Sequence, residues 1–235
     1  PEIHLDLGLH PRQLQALESD STDLLFGGAT EGGKSHFLRC ALIIWCLDIP
    51  NLSCVLIRKK ISDILNGHVE GRMGFRSLLA PLVDLKKVTI TQDGIKFWNG
   101  SQIYFQHCQD ERQFDSAQGI ERQVLAIDEA TQISERLIRF FRTWVRMPVE
   151  MYKEIPAHWQ GKFPKIICTA NPIGPSVGYF RREYVQARAH EQIELVHGFK
   201  RQYMLSRYSD NPSVDVEAHK GRLQGLGDEA LAKAL

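Results

Sequence analysis

Two short runs about ninety residues apart hold the groups in this chain best suited to chemistry. The first is Gly27-Gly28-Ala29-Thr30-Glu31-Gly32-Gly33-Lys34-Ser35, which contains the spacing Gly28-x-x-x-x-Gly33-Lys34-Ser35. Glycines let successive backbone N–H groups turn inward around phosphate oxygens, and a helix that follows adds its positive end. Gly28, Ala29, Thr30, Glu31, Gly32, Gly33, Lys34, Ser35 and His36 are therefore candidates for holding a nucleoside triphosphate. Lys34 would reach the β- and γ-phosphates, and the Ser35 hydroxyl would ligate Mg²⁺. The second run, Val124-Leu125-Ala126-Ile127-Asp128-Glu129, is four apolar residues ending in two carboxylates. An aspartate at a strand's end can hold the Mg²⁺ shell through water. The glutamate after it lies across from the γ-phosphate, where it can take a proton from water. That pairing favours ATP hydrolysis over a slow switch.

Three further stretches have a chemical and a plain reading. Ile166–Pro172 is a buried strand with a polar end, and Thr169 or Asn171 could bond the γ-phosphate or the attacking water; otherwise it is a strand before a proline turn. Gln13 precedes the first strand by about ten residues. Its amide could read both edges of adenine, or it could serve as a cap or surface residue. Arg136, Arg139, Arg142 and Arg146 fall on one arc of a helix, opposite Leu137, Phe140, Phe141, Trp144 and Val145. They are either a solvated face over a core stripe or a contact to DNA phosphates, with Arg181, Arg182, Arg188, Lys200 and Arg201 in the same basic region. The nine histidines have no metal-site spacing, and the five cysteines form no Cys-x-x-Cys pair, so they read as reduced core residues.

The elements around these motifs alternate. Strand-like runs are Asp23–Phe26, Cys54–Arg58, Val88–Thr91, Ile95–Trp98, Gln102–Gln106, Val124–Ile127, Ile166–Thr169 and Glu194–Phe199. Helical stretches lie near 34–47, 60–68, 74–83, 133–146 and 178–190, which predicts an α/β sheet covered by helices on both faces. Asp93-Gly94 and Asn99-Gly100 predict hairpin turns and hence an antiparallel insertion. Residues 1–208 read as one domain, and 209–235 as a helical linker or the start of a following subdomain. No apolar run approaches the roughly 20 residues that cross a bilayer, so no membrane partner is expected. The first residues carry no signal pattern. Residues 130–207 carry 13 Lys and Arg against 6 Asp and Glu, which points to an anionic partner besides any nucleotide.

Taken in order, Gln13, the loop at 27–35, Gln118-Gly119 leading to Ile127-Asp128-Glu129-Ala130-Thr131-Gln132, Lys165–Pro172 and Ser209-Asp210-Asn211-Pro212 resemble one family. It is the ATPase domain of the large terminase subunit, the DNA-packaging motor of tailed bacteriophages. The resemblance covers nearly the whole chain. It implies an additional-strand, RecA-like P-loop fold with a mainly parallel sheet sandwiched by helices. It also implies a homo-oligomeric ring, usually pentameric, on the portal vertex, moving double-stranded DNA into a procapsid in the host cytoplasm with a small terminase subunit as partner. By position, Lys34 and Ser35 would bind phosphate and Mg²⁺, Asp128 would support Mg²⁺, Glu129 would activate water, and Thr169 and Asn171 would couple hydrolysis to movement. The arginine that such rings insert from a neighbouring subunit would be Arg112 or Arg122.

Two departures stand out. Many large terminases have an arginine inside the phosphate loop, whereas this loop has none and holds Glu31 instead. Two like charges ~8 Å apart at an effective dielectric of ~20 repel by ~2 kcal/mol, so Glu31 is expected to point away from the phosphates. The family also usually continues into an RNase H-like nuclease with clustered carboxylates. No such cluster is present, so an excised motor domain without DNA cleavage is expected. Two other functions fit parts of the pattern: another RecA-like nucleic-acid translocase, and a nucleotide-dependent DNA-binding and assembly module with little turnover alone.

Overall fold

The structure is a computed structural model that describes residues 5–28, 32–108, 119–187 and 189–212. In chain order its elements are α1 (Pro11–Glu18), β1 (Asp23–Gly28), α2 (Lys34–Asp48), β2 (Ser53–Arg58) and α3 (Ile61–Ile64), which runs into a π-helical turn at Leu65–Val69. Then come α4 (Phe75–Leu78), α5 (Ala80–Asp84), β3 (Val88–Ile90), β4 (Gly94–Phe97), β5 (Gln102–His107), β6 (Val124–Ile127), α6 (Glu135–Arg142) and α7 (Val149–Glu154). The described part closes with β7 (Lys165–Ala170), α8 (Val177–Phe180) with a π-helical turn at Arg181–Val185, β8 (Glu194–Val196) and β9 (Phe199–Ser206).

The nine described strands form one sheet in the order β3-β4-β5-β2-β6-β7-β1-β9-β8. The six from β5 to β9 in that order pair in parallel, and β3, β4 and β8 add antiparallel edges. The continuous apolar runs are explained by burial on both faces. Leu24, Phe26, Cys54, Leu56, Val124, Ala126 and Ile167 point into a core with α2, while Leu25, Val55, Ile57, Leu125, Ile127, Ile166 and Cys168 point into a second core with α6 and α8. Period-two alternation divides each strand between the two layers. In the first layer Trp45 of α2 meets Phe163 edge-on, with ring centroids 5.6 Å apart. All five cysteines are buried and unbridged. No described helix is long and apolar enough to cross a membrane.

The antiparallel insertion is present as β3 and β4 on the edge of β5, but its first turn closes one residue earlier than expected. Thr91 N–H donates to Gly94 O (2.9 Å), so Gln92-Asp93 forms the loop and Gly94 begins β4. Gly94 is needed for close approach, because a Cβ there would sit 2.1 Å from the Ile103 carbonyl oxygen. The helix expected over 133–146 stops at Arg142, since Trp144 and Arg146 turn to hydrogen-bond the backbone of Arg122. The helix expected to reach 190 ends with the π turn at Val185.

The single strand expected at Glu194–Phe199 is instead a hairpin, β8 and β9, turning at His197-Gly198. β9 was hidden because Lys200-Arg201-Gln202 interrupts any apolar pattern. Arg201 and Gln202 are nonetheless buried, with Arg201 on Asp23 and Gln202 on the Glu191 carbonyl. The helices expected after residue 212 lie outside the described residues.

Candidate nucleotide site

β7 lies between β1 and β6, so an additional strand separates the phosphate loop from the acid pair. The carboxyl ends of all three strands open on one cleft of about 500 Å³. Gly32, Gly33, Lys34, Ser35, His36, Asp128, Glu129, Thr169 and Asn171 border it, together with Arg39, Ala170 and Asn211. The cleft therefore gathers most of the residues singled out by motif, drawn from four separate stretches. Ala29, Thr30, Glu31 and Arg112 lie outside the described residues.

Gly32 and Gly33 are fixed by their neighbours. Gly33 has φ 74°, and a Cβ on it would come within 2.7 Å of Gln13 Nε2. The Ser206 hydroxyl donates to Gly32 O (2.9 Å), tying the loop to the end of β9. From Gly33 the 15-residue α2 begins, so its positive end faces the cleft. Lys34 Nζ donates to Gly28 O (3.2 Å). Burial pushes its ammonium down to about 8, although Asp128 and Glu129 pull the other way.

This lowering gives a signed pH dependence. An anionic phosphate beside Nζ favours the charged form, so binding should take up a proton where the free amine is neutral, above about pH 8. At pH 9 the uptake from Lys34 should approach about 0.9 proton, and it should shrink as pH falls below 8. Titration calorimetry of a non-hydrolysable ATP analogue in buffers of different ionisation enthalpy measures it. An enthalpy independent of buffer at pH 9 would count against Lys34 as the phosphate ligand.

Asp128 is 1% exposed and surrounded by donors. The Ser35 hydroxyl lies 3.1 Å from both carboxylate oxygens, His68 Nε2 donates at 2.8 Å, and the Thr169 hydroxyl donates to Oδ1. Arg58 Nε is 3.2 Å from Oδ2, a charge contact without hydrogen-bond alignment. Burial pushes this carboxyl up, but His68, Arg58 and the Thr169 hydrogen bond outweigh it and hold the group well below the usual carboxylate range. Glu129 has φ 51°, unusual for a non-glycine residue, and its N–H donates to Thr169 Oγ1 (3.2 Å). Thr169 thus links both acids across the additional strand. Asn171 follows it, with its carbonyl bonded by the Thr131 hydroxyl.

Other candidates sit differently from expectation. Gln13 is buried and its amide is engaged, with Nε2 donating to Gly33 O (2.8 Å) and Oε1 accepting from His10 N–H (3.0 Å). It shapes the loop instead of presenting both amide edges to a base. His36 Nε2 hydrogen-bonds Leu7 O (2.8 Å). Arg122 precedes β6 at the amino end of the sheet, opposite to the cleft, with its guanidinium 4.0 Å from the Tyr104 ring centroid.

The arginine arc also divides. Arg142 is not on a solvated face: it makes a two-pronged pair with buried Asp23 (2.7 and 3.2 Å), which Arg201 Nε (2.8 Å) and the Tyr184 hydroxyl (2.7 Å) also reach. Arg142 and Arg201 are therefore core residues and leave the basic surface. Arg139 pairs with Glu135 and Arg146 with Glu121, both exposed, and Arg188 lies outside the described residues.

Sequence reasoning passed over Arg58 and His68. The end of β2 beside β6 was a readable clue to Arg58, since ligand sites in such sheets form at carboxyl strand ends. His68 had no signal, because a π turn brings it to Asp128 from sixty residues away.

A phosphate loop, an acid pair on the strand beyond the neighbouring one, and a polar strand end between them define an additional-strand, RecA-like P-loop protein. The chain belongs to the phage terminase large subunit family, whose model matches residues 20–226. Among solved structures it is similar to the large terminase of the thermophilic bacteriophage D6E in complex with ADP: 16% identity, 97% of this chain and 52% of that chain, TM-score 0.69. The ATPase domain of the Thermus phage P74-26 large terminase aligns at 13% identity over 96% of this chain and 92% of that one, with TM-score 0.61. The N-terminal domain of the DNA packaging ATPase from bacteriophage phi29 gives 11%, 90%, 100% and 0.52. At these identities the likeness is one of fold, and the chain spans about half the length of the D6E protein. No curated protein matches it.

Proposed function

We propose that this chain is the ATP-hydrolysing motor domain of a viral DNA-packaging machine, driving double-stranded DNA into a procapsid. The observation that carries the reading is Ser35 hydrogen-bonded to Asp128, with Glu129 and Lys34 on the same cleft. Lys34 and the α2 terminus hold the β- and γ-phosphates. Glu129 takes the proton of the attacking water, and Thr169, joined to both acids, passes the state of the site to β7. The D6E relative was also solved with ATP-gamma-S, which supports a triphosphate as the ligand.

The residues present suit Mg²⁺. Among the described residues no three His, Cys, Asp or Glu could hold a metal together. A small hard cation that keeps waters and takes phosphate oxygens needs only the Ser35 hydroxyl and an outer-shell Asp128. When bound it neutralises charge developing on the phosphate oxygens.

The chain acts in this reading as one subunit of a portal-mounted ring, usually pentameric, with a small terminase subunit, in the host cytoplasm. The arginine given in trans is Arg112 or Arg122, and Arg122 lies at the far end of the sheet from this chain's own cleft. Turnover per chain should rise with protein concentration and with double-stranded DNA. A rate flat against both, with ATP bound, would instead establish an assembly module.

A further inference from the structure

Arg39 stands on the second turn of α2 and borders the nucleotide cleft. It follows Ser35 by four positions, so both side chains leave the same face of the helix, the one turned to Asp128. Arg39 is 7% exposed, and Nη1 donates to the Gly67 carbonyl (3.0 Å) on the π-helical turn. Its Nε is buried and has no hydrogen-bond partner. Asp128 acts on its charge from nearby without a direct pair. Arg58 beside it is by contrast committed, with Nη2 2.6 Å from Glu129 Oε1 and Nε 3.2 Å from Asp128 Oδ2. A buried donor without an acceptor is uncommon in folded proteins, and at the wall of a cleft it is a group kept for a ligand.

The charges select which part of the ligand that is. Asp128 and Glu129 bring two carboxylates to this flank of the cleft, so an anion seated there needs a cation beside it. The loop at 27–35 holds Lys34 but no arginine. In the proposed reading Ser35 marks the metal and Glu129 lies across from the γ-phosphate. Arg39, on the Asp128 side of Ser35, therefore faces the terminal phosphate and not the base. We infer that Arg39 is this chain's own reader of the terminal phosphate, held by Gly67 through Nη1 so that its remaining donors meet the γ-phosphate oxygens. The inference rests on the nucleotide reading of the same cleft, and it makes Arg39 the residue that tells a triphosphate from a diphosphate.

The test compares binding of ADP and of the non-hydrolysable analogue AMP-PNP, each with Mg²⁺, to the full chain by calorimetry, with thermal melting measured alongside. Arg39→Gln should weaken AMP-PNP binding ~10–100-fold, the range of a hydrogen bond to a charged group. ADP lacks the terminal phosphate, so its affinity should change by less than about threefold. Arg39→Lys keeps the charge without the planar fork and should fall between Arg39→Gln and the parent. It carries the test if Arg39→Gln melts too early. Equal weakening of both nucleotides would make Arg39 a support of α2 and the π turn, and would overturn the inference. An unchanged affinity for AMP-PNP would overturn it as well. If the parent chain binds neither nucleotide, the reading of the cleft fails and takes this inference with it. If the parent binds both and hydrolyses ATP while the variants keep its ratio of affinities, only the role of Arg39 falls.

Discussion

Replacing Glu129 with Gln should leave ATP bound and stop its turnover. The substitution keeps the shape of the side chain and a hydrogen-bond acceptor for Arg58, but removes the group that accepts a proton. General bases contribute roughly 10²–10⁴-fold, so hydrolysis should fall by about that factor. Affinity for ATP should hold within a few-fold, because the proposed phosphate contacts come from Lys34, Ser35 and the start of α2. Lys34→Ala, by contrast, should lose binding and turnover together. Steady-state hydrolysis paired with calorimetric or fluorescent-nucleotide binding separates the two effects. Normal turnover by Glu129→Gln would remove it from the role of base and leave Asp128, already saturated with donors, as a poor replacement.

The second large effect is on stability, at the opposite end of β1. Asp23→Asn should destabilise the fold by about 3–5 kcal/mol, the usual cost of breaking a buried ion pair from one side. Asp23 is fully buried and receives Arg142, Arg201 and the Tyr184 hydroxyl. Burial pushes its carboxyl up, but the two guanidinium charges with the Arg142 and Tyr184 hydrogen bonds bring it below its ordinary value. The sign follows: this stability is present above the unfolded carboxyl's range near pH 4 and is lost as pH falls through the lower folded value. The amide would leave two buried cations without a countercharge.

At this chain length each kcal/mol moves the melting temperature by roughly 2–4 °C, so a drop of about 10 °C is expected. Arg139→Ala, which breaks an exposed pair with Glu135, should move it by only a degree or two, since such pairs contribute roughly 0–1 kcal/mol. A melting temperature for Asp23→Asn within 2 °C of the parent would return Arg142 and Arg201 to the pool of surface residues. The same result bears on DNA binding. Substituting Arg142 tests folding, so Arg136 and Arg139 on α6 and Arg146 beyond its end are the positions at which weaker DNA binding with a shallower salt slope reports on phosphate contact.

The groups gathered at the cleft were legible because each motif is contiguous. Glycine freedom, a lysine and a hydroxyl at the start of a helix are local properties of residues 28–35, and an apolar strand ending in Asp128-Glu129 is equally local. The family pattern then put these pieces in order, and the apolar runs of β1, β2, β6 and β7 announced a sheet buried on both faces. What one-dimensional reading could not reach were pairings across the sheet. Four arginines at helical spacing look alike until Arg142 meets Asp23, 119 positions away, while Arg139 stays in water. Gln13 looks free to read a base until its amide is used by His10 and Gly33. Arg58 and His68 acquire a role only because β2 lies beside β6 and a π turn folds back over Asp128. Sequence by itself determined which groups are candidates for chemistry, since these depend on residue type and local backbone. Tertiary structure alone decided which charges are buried and which acids they hold, because strand order, not spacing along the chain, sets those distances.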